Sequence, residues 1–171
     1  MSLPKGTKVI YGASGVCTIS DYREEDFGTG RKLYCVLTPS GEKSSADIFV
    51  PADNETLMNK IKVILSPEEI NALIDRIPEE NMDWIDDSRE RGAAFEKIIS
   101  CGDRLKIAVL IKSIYLRKKE CASEGKKIGI ADERVMRSAE RLLFEEFAAV
   151  LGIEPDDVRG FIMRRLECPA K

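Results

Sequence analysis

The chain has 171 residues, and its 27 basic and 30 acidic side chains give a net charge of −3 without a single histidine. The missing imidazole removes Ser–His and Cys–His nucleophile pairs and His-ligated zinc sites, which argues against most hydrolases. With 43% hydrophobic and 33% charged residues, the composition is typical of a folded globular protein. No apolar run approaches the roughly 18 to 20 residues of a membrane span, and the N-terminus lacks the apolar core of a signal peptide, so we expect a cytoplasmic protein.

Short runs rich in Val, Ile, Tyr, Phe and Thr predict β-strands in the first part of the chain. The predicted strands cover residues 7–11, 16–22, 32–38 and 46–50. Turns at residues 12–15, 28–30 and 39–42 separate them, because glycine supplies positive φ and proline presets its own φ. Pro51 ends the last of these strands, since it has no N–H to donate to a ladder. Four or five strands of this length predict a small antiparallel β-barrel over residues 1–60.

The second part of the chain begins with a strong helix-start signal. Ser66 offers a capping hydroxyl, Pro67 suits the first helical position, and Glu69 can complete a capping box. Apolar residues then recur at helical spacing until Pro78, which stops the helix.

Four more helices follow this first one. Their predicted bounds are about 83–101, 103–122, 131–151 and from 155 onward, set by Asp caps, by glycines at helix ends and by a proline at a first helical position. We therefore predict an α+β fold with two domains, in which the β-barrel is followed by an all-α bundle of about five helices over residues 66–171.

Neither the cysteines nor the acidic pairs predict a catalytic or metal site. The five cysteines are widely spaced and form no CxxC pair: Cys17, Cys35, Cys101, Cys121 and Cys168. We interpret them as reduced, apolar packing residues. Neighbouring carboxylates such as Glu145 and Glu146 point about 100° apart on a helix, so they do not converge on one site. We expect no cofactor, no metal and no enzymatic activity.

The charges are distributed unevenly along the helical part. Residues 66–103 hold 11 acidic and 4 basic side chains, whereas residues 104–137 hold 10 basic and 4 acidic ones. The basic segment has two interpretations, namely a surface that neutralises phosphates and a set of solvated helix faces. Eight of its ten basic residues precede the helix predicted at 131–151, namely Arg104, Lys106, Lys112, Arg117, Lys118, Lys119, Lys126 and Lys127.

Trp84 is the only tryptophan and lies within the acidic segment. In a helix that starts near Asp83, it occupies the first turn. One interpretation is an apolar anchor that packs the end of this helix onto the bundle. The other is a partly exposed wedge that packs against an unstacked base step of a nucleic acid.

These features together resemble the CarD family of bacterial transcription regulators, whose N-terminal module is also similar to the polymerase-interacting domain of transcription-repair coupling factors. The matching segments occur in the right order over nearly the whole chain. They are GTKVIY at 6–11, GV at 15–16, YCVL at 34–37, IFVPADN at 48–54, DW at 83–84, FEKI at 95–98, GD at 102–103 and DERVM at 132–136.

The resemblance implies a Tudor-like or SH3-like barrel that binds the RNA polymerase β subunit by adding its sheet edge to a sheet of the partner. Carried over by position, the polymerase-binding residues are Lys32, Tyr34, Asp47 and Phe49. The helical domain would then face promoter DNA, hold the open complex and insert its tryptophan into the minor groove. Carried over in the same way, the DNA-binding residues are Trp84, Arg89, Arg91, Lys97, Lys126 and Lys127.

The chain departs from the family pattern beside the two implied sites. Phe49 stands where well-known members place a basic residue, and Asp86 and Asp87 follow the tryptophan where basic residues are common. Carboxylates next to a DNA backbone weaken binding, so we expect weak, salt-dependent binding to free DNA and delivery to the promoter by the polymerase. An alternative function is a polymerase-bound adaptor whose acidic face at residues 79–87 recruits a protein partner.

Overall fold

The computed structural model describes residues 2–40 and 46–167, and the chain divides into two compact units, Met1–Ile64 and Leu65–Lys171. In the described residues, the first unit holds a five-stranded antiparallel sheet, and the second holds five helices. The predicted α+β fold class, an antiparallel β domain followed by a helical domain, is confirmed. The two units are called the β unit and the helical unit below.

The sheet of the β unit has the strand order β4-β3-β2-β1-β5. Its strands are β1 (Lys8–Tyr11), β2 (Val16–Glu25), β3 (Lys32–Pro39), β4 (Ile48–Pro51) and β5 (Ile61–Val63). Strand β5 was not predicted, because three residues with a central lysine are too short to show an alternating pattern. Strand β4 begins two residues later than predicted and ends at Pro51, and the predicted turn residues 41 and 42 lie outside the described residues.

Alternating residues of strand β3 face opposite sides of the sheet. Cys35 and Leu37 are fully buried in the core of the β unit, where they join Val9 and Val50. Tyr34 faces the other side of the sheet. A short helix α1 (Glu55–Met58) follows β4. Strand β4 comes first in the strand order, so it lies at one edge of the sheet with β3 as its neighbour.

The helical unit is built from helices that begin and end largely where their caps predict. They are α2 (Pro67–Arg76), α3 (Ser88–Cys101), α4 (Arg104–Ser123), α5 (Ile130–Leu151) and α6 (Pro155–Glu167). Ser66 and Glu69 form the predicted capping box of α2, and the Asp103 carboxylate caps α4. Gly102 ends α3 in the left-handed conformation, with a φ of 69°.

Helix α3 begins five residues later than predicted, at Ser88 instead of Asp83. The Asp87 carboxylate is its N-cap and accepts hydrogen bonds from the N–H groups of Arg89 and Glu90, both at 2.9 Å. The carbonyl groups of residues 85 and 86 bind an arginine side chain, so they do not accept intrahelical bonds. Trp84 consequently lies in the connection between α2 and α3 and not in the first turn of a helix.

One hydrophobic core holds the helices of this unit together. Its fully buried residues include Ile70, Ile74, Phe95, Leu110, Ile114 and Phe147. Phe95 comes from α3 and joins residues of α2, α4 and α5, so the core holds the helix that follows the connection carrying Trp84. None of the helices in residues 2–40 and 46–167 combines the length and the apolar character that a membrane span requires.

Candidate functional site

Trp84 packs against the core of the helical unit without being enclosed by it. Its ring is half-buried and makes an edge contact with Phe95, with ring centroids 6.0 Å apart. Two guanidinium groups lie over the indole, with Cζ of Arg91 at 4.7 Å and Cζ of Arg117 at 5.6 Å from the ring centroid. Each of these contacts is electrostatically favourable, because the ring quadrupole attracts positive charge. The anchor interpretation thus describes one part of the ring, and its other part lies toward solvent.

Arg91 is used inside the protein by all of its donor nitrogen atoms. Nε and Nη2 bind the two carboxylate oxygens of Asp132, each at 2.9 Å. Nη1 donates to the carbonyl groups of Ile85 at 2.7 Å and Asp86 at 3.0 Å. Only 11% of the Arg91 side chain is exposed, and the hydrogen bonds that Arg91 donates to Asp132 raise the pKa of Arg91 above its ordinary value. Arg91 therefore holds the connection before α3, and its guanidinium does not extend into solvent.

Lys112 of helix α4 holds the beginning of the same connection. Its Nζ donates to the carbonyl groups of Ile77 at 3.1 Å and Glu80 at 2.9 Å, and to Oδ1 of Asn81 at 3.3 Å. The ammonium group thereby satisfies carbonyls that the end of α2 leaves without intrahelical partners. Lys112 and Arg91 bind the two ends of the segment that carries Trp84.

A shallow groove of about 190 Å³ lies beside the indole. Trp84 and Met82 line it from the connection, and Val109, Leu116 and Arg117 line it from helix α4. Leu116 is an exposed apolar side chain on this surface, with 48% of its area accessible. The groove is open, so a planar group could approach the indole from this side.

The acidic residues around Trp84 differ in what their carboxylates bind. Asp87 directs its carboxylate to the N–H groups at the start of α3, where the positive end of the helix dipole offsets part of its charge. Asp83 and Asp86 are exposed to solvent. Glu79 and Glu80 are also exposed, and Glu80 pairs with Arg76 at 3.5 Å. The negative charge of this surface is therefore carried by exposed carboxylates, of which those of Asp87 and Glu80 have partners within the protein.

The remaining basic residues predicted to bind DNA are on the surface of the helical unit. Arg89 and Lys97 are exposed on helix α3. Lys126 and Lys127 are exposed in the loop that precedes α5, where Lys126 pairs with Glu124 at 3.1 Å. The first turn of α5 contains Asp132, and its ion pair with Arg91 brings the start of α5 onto α3.

The basic segment at residues 104–137 is not one continuous cationic surface. Arg104 binds the buried Glu146, and Lys112 is occupied by backbone carbonyl groups. Lys118 pairs with Glu133 at 3.3 Å. Interpreting all of these cations as phosphate ligands is therefore wrong for Arg104 and Lys112, which have internal roles.

In the β unit, the open edge of strand β4 presents backbone groups of Phe49. The N–H of Ala52 donates to the carbonyl of Leu33 at 2.9 Å, and the register pairs Val50 with Cys35. Because hydrogen-bonded and non-hydrogen-bonded pairs alternate in an antiparallel ladder, Phe49 directs its N–H and C=O away from β3. An incoming strand would meet these groups at the edge.

A cluster of three aromatic rings covers the outer face next to this edge. Phe27 lies 5.2 Å from both Tyr34 and Phe49, measured between ring centroids, and all three contacts are edge-to-face. Arg23 lies over the Phe49 ring at 5.1 Å. Phe27 is 60% exposed, whereas Tyr34 is buried. The two polar residues predicted here, Lys32 and Asp47, are exposed. Lys32 pairs with Asp53 at 3.2 Å, and Asp47 accepts a hydrogen bond from Thr38 at 2.7 Å.

A family model described as "CarD, C-terminal domain" matches residues 70–163, which is more than half of the chain. The chain belongs to the CarD family. The match covers the helical unit from α2 to α6, including Trp84 and Asp132, and it identifies a CarD-like transcription regulator. Family membership implies an interaction with RNA polymerase and DNA, and regulators of this family are not enzymes. A search of the curated proteins found no match.

Three residues at the candidate sites make contacts that the sequence did not predict. Arg117 and Asp132 reach Trp84 and Arg91 from helices α4 and α5, and the Arg91–Asp132 pair spans 41 positions. Phe27 lies in the turn after β2 and joins Tyr34 and Phe49 only in the folded sheet. The sequence signal closest to these contacts is the DERVM segment, which carries Asp132 and belongs to the CarD resemblance. In the described part of the chain, no three Cys, Asp or Glu side chains are grouped as ligands of a metal ion.

Proposed function

We propose that this CarD-family protein binds the RNA polymerase β subunit through the edge of its sheet and stabilises promoter open complexes through its helical unit. In this proposal, Trp84 packs into the minor groove at the upstream edge of the transcription bubble. The observation that carries the proposal is a half-buried indole held outside any helix by Phe95, Arg91 and Arg117.

The restraint of the indole supports the wedge role. Partial unstacking of a base step costs a few kcal/mol. A side chain that rotates freely would change its own orientation instead of unstacking the bases. Arg91 of helix α3 and Phe95 of the core both contact the ring of Trp84, so the ring loses little further freedom on binding. The groove beside the ring leaves space for a base or sugar to contact it.

The phosphate contacts in this proposal come from exposed cations only. We assign them to Arg89, Lys97, Lys126 and Lys127, and we leave out Arg91 because its donors are already used. These four charges compete with the exposed carboxylates near Trp84, so affinity for free DNA is low and falls further with salt. Binding to the polymerase raises the local concentration of the helical unit at the promoter and compensates for this weakness.

The proposed polymerase contact uses both backbone and side chains of the β4 edge. The outward N–H and C=O of Phe49 can pair with a strand of the β subunit, as in other β-augmentation complexes. Phe27 and Phe49 would contact apolar side chains of that strand. Lys32 and Asp47 flank this patch with opposite charges and would orient the partner.

The decisive experiment compares Trp84→Ala with wild type for polymerase binding and for the lifetime of open complexes. Stacking of a base on an aromatic ring contributes about 1 to 3 kcal/mol, so the lifetime should fall roughly five- to 150-fold. Binding to the isolated β subunit should stay unchanged. Phe27→Asp is the matched variant in the β unit, and it should weaken binding to the β subunit without altering the fold, because Phe27 is exposed. An unchanged lifetime for Trp84→Ala would refute the wedge.

A second candidate function is a polymerase-bound adaptor that recruits a basic protein. The exposed side chains of Glu79, Glu80, Asp83 and Asp86 favour it, because together they form an acidic surface next to Trp84. For an adaptor, replacing Asp83 and Asp86 by Asn should abolish partner recruitment while Trp84→Ala leaves the open-complex lifetime unchanged. For a wedge, the same double substitution should lengthen that lifetime by reducing repulsion of the phosphates.

A further inference from the structure

The connection that carries Trp84 depends on a carboxylate from a distant part of the chain. Asp132 lies in the first turn of α5 and is buried, with 6% of the residue exposed. Both of its carboxylate oxygens bind Arg91, and Arg91 in turn binds the carbonyl groups of Ile85 and Asp86. The same guanidinium lies over the indole of Trp84. A continuous series of contacts thus joins the start of α5 to the indole.

Arg91 could not keep this position without a buried anion. With 11% of its side chain exposed, the guanidinium has lost most of its hydration, and the bidentate carboxylate replaces the lost water. Asp86 and Asp87 are the other anions near it, and neither forms an ion pair with Arg91. If Asp132 became neutral, the guanidinium would move toward solvent and toward these two exposed acids. The carbonyl groups of residues 85 and 86 and the indole face would then lose their contacts.

The start of α5 gives Asp132 a defined position. A residue in the first turn of a long helix is held by that helix, and an acid there is also favoured by the helix dipole. The carboxylate lies directly beside Gly129, the N-cap residue of α5, where a Cβ would be in ordinary van der Waals contact with Oδ2 of Asp132 at 3.4 Å.

We infer that Asp132 is a positioning residue that sets the orientation of Trp84 through Arg91, without contacting DNA itself. This inference rests on the proposed function only for its consequence at the promoter. Its structural part, the control of the indole by Asp132, stands on the contacts alone. It gives the first turn of α5 an influence, through Arg91, on how the indole meets the base step.

Trp84 is the sole tryptophan, so its fluorescence reports the orientation and exposure of this one ring. The test compares Asp132→Asn, which keeps the shape of the side chain and removes its charge, with Glu133→Gln as the matched control. Glu133 is the next residue and loses the same charge, but its ion pairs with Lys118 and Arg137 are exposed. We expect acrylamide quenching of Trp84 to rise by roughly twofold in Asp132→Asn and to stay at the wild-type value in the control.

A double-mutant cycle on open-complex lifetime then separates positioning from general destabilisation. Asp132→Asn should shorten the lifetime in the wild-type background and should have no further effect in the Trp84→Ala background. A purely structural role of Asp132 would give the same fold-change in both backgrounds. That result, or unchanged quenching in Asp132→Asn, would overturn the inference.

Arg91→Lys provides a second variant if Asp132→Asn does not fold. It keeps the positive charge beside Asp132 but cannot form the bidentate pair and the two carbonyl bonds at once. Quenching of Trp84 should therefore rise in Arg91→Lys as well, and wild-type quenching there would also refute the inference. If Trp84→Ala leaves the open-complex lifetime unchanged, the proposed function fails, while the quenching experiment still decides whether Asp132 positions the ring.

Discussion

Replacement of Glu146 tests the polar contact at the centre of the helical unit. Glu146 is 2% exposed, and its carboxylate binds Nε of Arg104 at 3.1 Å and Nη2 of Arg104 at 3.0 Å. It also accepts the N–H of Leu65 at 3.0 Å, at the start of the unit. Glu146→Ala removes the anion and leaves the Arg104 guanidinium, 17% exposed, without this partner.

The expected loss follows from the burial of this pair. Breaking a buried ion pair by removing one partner costs about 3 to 5 kcal/mol, because the remaining charge is left in a poorly solvated site. With a urea slope of about 2 kcal/mol/M, the unfolding midpoint should fall by about 1.5 to 2.5 M. Glu146→Gln should show a smaller decrease, since an amide oxygen can still accept the N–H of Leu65.

Urea unfolding followed by the fluorescence of Trp84 measures this loss directly, because the only tryptophan lies in the helical unit. Glu145→Ala is the matched control on the same helix. Its ion pair with Arg141 has an O–N distance of 3.9 Å and is exposed, so its loss should change the free energy of unfolding by less than about 1 kcal/mol. If Glu146→Ala lowers the midpoint no more than Glu145→Ala does, the stabilising role assigned to the buried pair is wrong.

Three further predictions concern other contacts of the two units. Burial raises the pKa of Tyr22 to about 12, so the β unit should lose stability as the pH rises from about 10 to 12. Alkaline unfolding followed by circular dichroism measures this loss, and Tyr22→Phe should reduce it. Gly102→Ala should destabilise the helical unit by about 1 to 2 kcal/mol because of its φ of 69°, whereas Gly92→Ala inside α3 should stabilise it by about 0.5 to 1 kcal/mol. A gain of stability in Gly102→Ala, or equal changes in both variants, in urea unfolding would contradict the strain argument. Lys112→Met should lower the free energy of unfolding by about 1.5 to 3 kcal/mol, because the hydrogen bonds to the carbonyl groups are lost. The control Lys106→Met, at an exposed position of the same helix, should lower it by less than about 0.5 kcal/mol. Equal losses would show that the bonds of Lys112 do not stabilise the connection.

Much of the fold follows from local chemistry that can be recognised in the sequence. The hydroxyl of Ser66 and the carboxylate of Asp103 cap helices where the sequence predicts them, because a cap needs only residues within one turn. Pro51 ends strand β4 for an equally local reason. The start of α3 was predicted wrongly, since both Asp83 and Asp87 can act as caps, and the choice between them depends on Arg91.

The candidate sites were predicted less completely than the fold. Trp84, Arg89 and Phe49 could be named from the resemblance, since each belongs to or lies near a segment with a recognisable pattern. The roles of Arg91 and Lys112 could not, because an arginine or lysine in a sequence carries no sign of whether its partner is solvent, phosphate or a buried group. Only the positions of α4 and α5 show that both side chains bind inside the protein.

The amino-acid sequence alone determined the order of the two units, the caps of most helices and the identity of the aromatic residue at the centre of the candidate DNA site. Those properties depend on periodicity, turn chemistry and residue type, which act over a few neighbouring positions. The tertiary structure decided which charges are available to a partner. Burial and pairing depend on residues far apart in the chain, as in the contact between Arg91 and Asp132. The net charge of −3 does not show which charged side chains are buried or paired.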